Sequence, residues 1–476
     1  MAHTPIYLNL KRILARTEAV SNTAETLAAA DGKARVTVGT SASDESPRED
    51  RDIARGTFSP MGTLESTKAV LHTIGGELNT PDTFGLTVQA ACTGSLIATA
   101  LGIMTVNITG NVAAGVAVGD LINVRCPGST LASGTHIITS VAAGSLTVIN
   151  RAAPSLNVLA TNTTANVLRR TEFGPLMTAC GTKARVVYTC TIGAVTSGPF
   201  VRNETITQTT SGATGRVVKA CANGDATIMF VPINGIVFTT GAVVTGGTSG
   251  ATATTSAAEA VAGYSILPST PYFETATVRN ETDGKVWQSR GTAGNMTMQM
   301  DASKKAMVAF AMSGARSSLA DAALTSVTQD TEQPPILQIA ALTMTPTGGS
   351  AFSPVGKTIS FDMGNKVVAR ENFNSADTTG LEGYIITGRS PKLKISYEHT
   401  LSTNFDFVTL RDAGTDIAIK WQVGTATGKT ILCFVDSAEI LNGTLGENNG
   451  AMMMDLELLC KGEGSAEDRE FEFVLV

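Results

Sequence analysis

Aromatic residues are scarce, 5% of the chain, with only two tryptophans, Trp287 and Trp421. That leaves little for the base-stacking platforms that single-stranded nucleic acids need. Charge is scarce too: 16% of residues are Asp, Glu, Lys or Arg, against about 25% in ordinary globular domains. The formal net charge is −6, so no electrostatic grip on a phosphate backbone is expected. Cysteines are few, scattered and odd in number: Cys92, Cys126, Cys180, Cys190, Cys221, Cys433 and Cys460. With no CxxC among them, they predict reduced, buried thiols made in a cytosol, not a disulfide framework or a zinc ribbon. The four histidines, His3, His72, His136 and His399, lack ligand spacing to one another or to cysteines and carboxylates. No metal and no other cofactor is expected.

Catalytic signatures are missing as well. No GxSxG elbow nominates a serine, and His72 and His399 read as ordinary strand residues. The run Gly424-Thr-Ala-Thr-Gly428-Lys429-Thr430 misses the phosphate-loop spacing by one residue and reads as a hairpin turn. The chain is therefore not expected to be an enzyme. The first sixteen residues carry Lys11, Arg12 and Arg16 but no apolar run, so no signal peptide is expected. Residues 83–119 hold no charge, yet their most apolar piece, 95–106, is too short to span a bilayer. It reads as buried strands, with no membrane contact.

What is present is alternation of apolar and polar residues, broken by frequent turns: a mainly β chain. Helix patterning is confined to 19–30, which reads as a short helix or a loop, 173–180 and 317–323. Residues 95–165 look inserted, with short strands at 104–108, 121–125, 136–139 and 146–149. Their rhythm is that of a small antiparallel barrel or sandwich, which needs closure or a packing partner. A second insertion, 196–255, contains a repeat: Phe200 and Thr210-Ser211-Gly212-Ala213-Thr214 recur 38 residues on as Phe238 and Thr248-Ser249-Gly250-Ala251-Thr252. Two copies are too few for a solenoid and read as paired hairpins.

The remaining core is itself doubled in order, if weakly in residues. Residues 32–39 parallel 356–364, each leads to a polar loop with an Arg-acid pair (Arg51-Asp52, Arg370-Glu371), and each loop to a strand, 69–77 or 392–398. The expected domains are 1–94 plus 166–195 as a first discontinuous core domain, the two insertions, and 256–476 as a second core domain.

Two charged features stand out. Eight of the twelve residues 44–55 are charged, with signs interleaved: Asp44, Glu45, Arg48, Glu49, Asp50, Arg51, Asp52 and Arg55. They read as a solvated loop or as an arm that docks on another subunit. Near the C-terminus, acids alternate with apolar residues around Asp455, Glu457, Glu470 and Glu472, giving an acidic strand face. It reads as a plain solvent face or as a wall against something that must not stick.

Several phrases occur in order along the core: Gly56-Thr-Phe-Ser-Pro60, the strand around 70–78, and Glu172-Phe-Gly174-Pro175-Leu176-Met-Thr-Ala-Cys180-Gly181. They continue through Tyr264-Ser-Ile-Leu-Pro268-Ser269, Asp283-Gly284-Lys285, Arg290-Gly291-Thr-Ala-Gly294-Asn295-Met-Thr-Met298 and Phe310-Ala-Met-Ser-Gly314. Pro334-Pro335 and Gly364-Asn365, followed by Arg370, complete the set. Together they resemble the tail tube (major tail) proteins of long, flexible-tailed bacteriophages, the siphophages. The resemblance implies a structural virion protein with a β-sandwich or partial-barrel core, here duplicated in tandem and carrying two small β modules. Such subunits self-assemble into stacked rings, a hollow tube that delivers the genome. Trimeric pseudo-sixfold rings are preferred over hexameric ones.

The tube would be built in the host bacterial cytoplasm as part of the virion. It would contact tape-measure, tail terminator and baseplate or distal tail proteins, and pass double-stranded DNA without binding it specifically. On that resemblance the 44–55 loop becomes an inter-ring arm, and Asp455, Glu457, Glu470 and Glu472 a lumen wall. The competing expectations are a capsid or head-decoration protein, a bacterial surface β-repeat adhesin, and a hydrolase on a β scaffold.

Overall fold

The computed structural model describes residues 11–32, 35–46, 48–50, 63–65, 67–78, 86–98, 103–108, 116–125, 134–142, 144–149, 159–170, 172–270, 274–327, 334–337, 340–375, 379–425, 429–462 and 468–476. The fold is mainly β, with 57% strand and 5% helix. In chain order come β1 (Lys11–Thr17), β2 (Ser41–Asp44), a small hairpin of β3 (Arg48–Asp50) and β4 (Thr63–Glu65), and β5 (Ala69–Glu77). Next are β6 (Leu86–Ala98), β7 (Ile103–Ile108), β8 (Leu121–Arg125), β9 (Gly134–Ala142), β10 (Ser145–Ile149) and β11 (Leu159–Arg170). A buried helix, α1 (Gly174–Ala179), leads to β12 (Thr182–Thr191), β13 (Thr205–Gln208), β14 (Ala213–Val217), β15 (Thr227–Pro232), β16 (Val243–Gly246), β17 (Thr252–Thr254) and β18 (Ala260–Pro268). Then come β19 (Ala276–Thr282) and two long strands, β20 (Lys285–Asp301) and β21 (Met307–Asp321). The last stretch holds β22 (Thr343–Pro346), β23 (Gly356–Asp362), a hairpin of β24 (Asn365–Glu371) and β25 (Leu381–Arg389), and β26 (Lys392–Glu398). It ends with α2 (Phe407–Asp412), β27 (Ile417–Val423), β28 (Ile431–Asn448), β29 (Ala451–Lys461) and β30 (Glu472–Leu475).

The pairing order repeats. One set of six strands runs β1-β19-β20-β21-β5-β2, every pair antiparallel. A second runs β22-β27-β28-β29-β26-β23, again all antiparallel. Each strand of one set has a counterpart of the same rank in the other, both in pairing order and in order along the chain. A separate two-stranded hairpin interrupts each unit at the same place, β3–β4 between β2 and β5, β24–β25 between β23 and β26. A six-residue helix precedes the closing meander in both. The units join edge to edge where Thr297–Asp301 of β20 pair with Thr358–Asp362 of β23.

Strands β5 and β26 occupy the expected spans, 69–77 and 392–398. The boundary between units differs from the expected one. β19, β20 and β21 lie past residue 256 yet complete the first sheet, because two insertions displace its closing strands along the chain.

Apolar residues at every second position of these strands enter one core. Met296, Met298 and Met300 of β20 meet Phe310, Phe361, Tyr397, Trp421 and Phe473 there, all nearly or fully buried. Full burial of each such side chain is worth about 1.5–3 kcal/mol. Helix α1 carries Pro175 in its first turn, where the missing N–H has no intrahelical partner to lose. Beside it Phe173 stacks on Phe310 with centroids 5.5 Å apart. Gly76 of β5 makes room for that ring, since a Cβ there would sit 2.1 Å from Phe173 Cζ.

The first insertion is a closed barrel, β10-β7-β6-β11-β8-β9, sealed by β9 on β10. It reaches from Leu86 to Arg170, beyond the expected 95–165 at both ends. The expected strand 121–125 is β8 as read, and the described residues of 95–106, namely 95–98 and 103–106, fall in β6 and β7, where Met104 and Val106 are fully buried. Among the described residues no helix is long and apolar enough to cross a membrane.

The second insertion is wider than 196–255, because β12 and β18 belong to it. Its strands run β12-β15-β14-β13-β16-β17, and the ladder returns to the extension of β12 through Ile192↔Thr255 and Thr196↔Thr252. The 38-residue repeat superposes β13 on β16. The two pair with Thr207 opposite Thr245, its own counterpart. Both TSGAT turns place glycine at positive φ, Gly212 at 75° and Gly250 at 68°. Both also donate the amide of the next alanine to the turn serine, at 3.2 and 3.1 Å.

Of the helices expected from local pattern, 173–180 is α1, while 19–30 contains only a 3₁₀ turn at Ala29–Gly32. Residues 317–321 are instead the end of β21, where Ser318–Asp321 pair with Lys285–Gln288 and Ser317 sits at a register shift. Cys180, Cys190, Cys221, Cys433 and Cys460 are free and buried, and burial pushes the Cys190 and Cys221 thiols up to about 11.

Candidate assembly surfaces

The interleaved charges begin where β2 ends. Arg316 Nη1 lies 3.3 Å from Asp44 Oδ1, and Ser46 donates to the same oxygen at 2.6 Å. Ser313 donates to Glu45 at 3.4 Å. Arg48, Glu49 and Asp50 form β3, paired with β4 and, among the described residues, with no other strand. Arg51, Asp52 and Arg55 lie outside the described residues. The described part of the charged segment is thus the end of β2 followed by one strand of a small separate hairpin. That hairpin's counterpart, β24–β25, lies back on the first unit, with Leu381 packed on Ala69 and Ala315. Phe373, in the loop joining β24 to β25, is 98% exposed.

The C-terminal acids do not form a row. Asp455 is exposed on β29. Glu457 takes a 2.9 Å hydrogen bond from Lys392, with Lys394 at 3.8 Å. The Lys392 bond holds its carboxyl below the usual carboxylate range. Glu470 pairs with Arg389 at 3.0 Å.

Glu472 is buried and corrects the expected lumen assignment. It contacts Arg202 Nη2 at 2.7 Å and Arg216 Nη2 at 2.8 Å, and Ser265 donates to it. Burial alone would raise its carboxyl; the two guanidinium groups outweigh that and hold it well below the usual range. The physical reason is position. β30 lies between β28 and β18, and the second insertion covers its polar side. Asp436 extends the cluster, taking Arg202 Nε at 2.7 Å and Asn203 Nδ2 at 2.7 Å, while Arg202 sits 4.0 Å over the Phe434 ring. The cluster fastens the insertion to the core. Sequence reasoning missed these arginines, although charges in an almost uncharged module were a usable signal.

The barrel is fastened by similar means. Arg125 ion-pairs with Glu259 and lies 4.8 Å over the Tyr188 ring, whose hydroxyl accepts from Asn123 at 3.3 Å. Leu121 and Ile137 of the barrel join the insertion's apolar core.

On the outer side of the joined sheets, Glu457, Lys394, Ser360 and Gln299 stand side by side on four neighbouring strands. Asp455, Ser396, Thr358 and Asp301 form the next line. The face is polar and of mixed sign, not an acidic wall. Inside the core, His72 Nε2 lies 2.8 Å from Ser289 Oγ. Burial pushes the imidazole down to about 3, and among the described residues its Nδ1 has no hydrogen-bond partner, so no described acid orients the pair as in a hydrolytic triad.

No protein-family model matches the chain, and a search of curated proteins finds no match. The geometry therefore has to speak through the two sheet edges. Among the described residues β2 is paired on one side only, with β5. β28 carries β27 as far as Ala438, and beyond that its described partner is β29 alone.

Proposed function

We propose that the chain is a tail tube protein, a structural subunit that self-associates into rings stacked as the hollow tail of a bacterial virus. The observation that carries this reading is the tandem repeat joined edge to edge at β20–β23. A unit whose edge accepts its own duplicate, with no described strand on either outermost edge, is built to continue. The joined strands run β2-β5-β21-β20-β23-β26-β29-β28. Three chains of eight strands each, at about 4.8 Å per strand, close a ring about 37 Å across, which strand tilt widens. That favours three chains and six units.

The polar outer face then lines the passage, with charges cancelled in place, as Glu457 is by Lys392 and Lys394. Passing DNA meets short hydroxyl and amide side chains and no net field to hold it. Tape-measure protein inside, and terminator and distal tail proteins at the ends, complete the assembly. The barrel and second module project outward.

Negative-stain electron microscopy of the purified chain over a concentration series tests the reading. Rings or tubes with a central hole and pseudo-sixfold top views are expected. Closed shells, or a chain that decorates a preformed capsid without making rings, would favour the head-protein reading instead.

A further inference from the structure

We infer that the outer half of β28 pairs with β2 of a second copy of this chain, repeating between chains the junction that β20 and β23 make within one. This deepens the assembly reading by naming the partner and the edge, but it rests on the repeat itself. β20 pairs first with β19 and then, further along the same edge, with β23. β28 pairs first with β27, and its continuation along that edge has no described strand beside it. The counterpart of β23 in the first unit is β2, which likewise has no described strand on that side.

Burial points the same way. At the internal junction Met298 lies opposite Phe361 and Met300 opposite Ile359, and all four are buried, the two methionines at 1% and 0% exposure. On the β28–β29 hairpin the inward position Leu445 lies opposite buried Met454. Yet Leu445 is 57% exposed and Met452, two residues before Met454 on the same side, is 56% exposed. These are core positions that lack the unit which would cover them. The chain cannot supply that unit itself: β2 and β28 are the two ends of an eight-strand order, about 34 Å apart at the usual strand spacing. On β2 the matching inward residue is Ala42, opposite buried His72.

The test uses the full chain carrying Ala42→Cys and Leu445→Cys, treated with a short bis-maleimide and read by denaturing gel and peptide mapping. A ladder of covalent multimers joined at 42 and 445, absent from each single variant, is expected. Leu445→Asp should raise the concentration needed for association at least tenfold, while its circular dichroism and melting match the parent chain. Normal association of Leu445→Asp, a linkage formed within one chain, or a parent chain that stays monomeric would each overturn the inference. Rings cross-linked at this pair that never stack would refute the tube reading and leave the inference standing. Tubes whose subunits do not cross-link here would do the reverse.

Discussion

Duplication has been used twice in this molecule, with opposite outcomes. In the second insertion the two 38-residue copies face each other: β13 meets β16, its own counterpart, with Thr207 opposite Thr245. Such an isologous contact is self-complementary, and the ladder returns on itself and ends. In the core the copies stand in line: β20 of one meets β23 of the other, strands of different rank. A heterologous contact of that kind satisfies one edge of each copy and leaves the other two for something else. Whether a repeat closes or propagates therefore depends on whether like meets like at the seam, not on how similar the copies are. Here the nearly identical TSGAT copies close, and the barely recognisable core copies stay open.

The contrast can be broken at the cluster that ties the closed module to the open core. Glu472→Ala leaves Arg202 and Arg216 buried without their shared anion, and we expect it to cost about 3–5 kcal/mol. Hydrogen exchange should show β18 and β30 losing protection while the β13–β16 seam keeps its own. Loss of both together would mean the module does not close independently.

Next in size is the difference between a covered and a bare core position. Met298→Ala in the dilute chain should cost about 2–5 kcal/mol by urea unfolding. Leu445→Ala should stay within about 0.5 kcal/mol. Equal costs would remove the distinction between the two ends of the core.

Acid should act on the core through His72. Its folded value near 3 lies below the ordinary 6.5, so the unfolded chain takes up the proton first. The neutral ring's contribution is complete above pH 6.5 and is lost as pH falls toward 3. Urea midpoints measured across that window should decline in the parent chain and decline less in His72→Gln; parallel slopes would assign the acid sensitivity elsewhere.

The smallest effect is a matched pair. Gly212→Ala and Gly250→Ala each force a side chain into left-handed φ, about 1 kcal/mol apiece. Because the turns are two-fold mates, the costs should agree within about 0.5 kcal/mol, and markedly different melting shifts would argue against equivalent turns.

Much of this was legible in the chain. Strands 69–77, 121–125 and 392–398 announced themselves by alternation between turn residues, and the TSGAT repeat named its own hairpins. The grouping of strands into units was not legible, since β1 finds β19 more than 250 residues away and nothing local marks that partnership. Residues 317–321 carry a helix-like composition, yet pairing with β20 overrides it. Of the proposed site residues, Asp44 and Glu45 contact Arg316 and Ser313 of β21. Glu472 misled because an alternating acid looks the same whether water or a buried arginine faces it.

The shortness of β2 has a kinetic consequence. A single junction built on four residues of edge holds two chains weakly, and a third chain added to an open pair gains little more. The chain that closes the circle makes two junctions at once, the second at high effective concentration. Mixtures should therefore contain free chains and complete circles with few open pairs between them, and growth should begin after a lag set by the first closure.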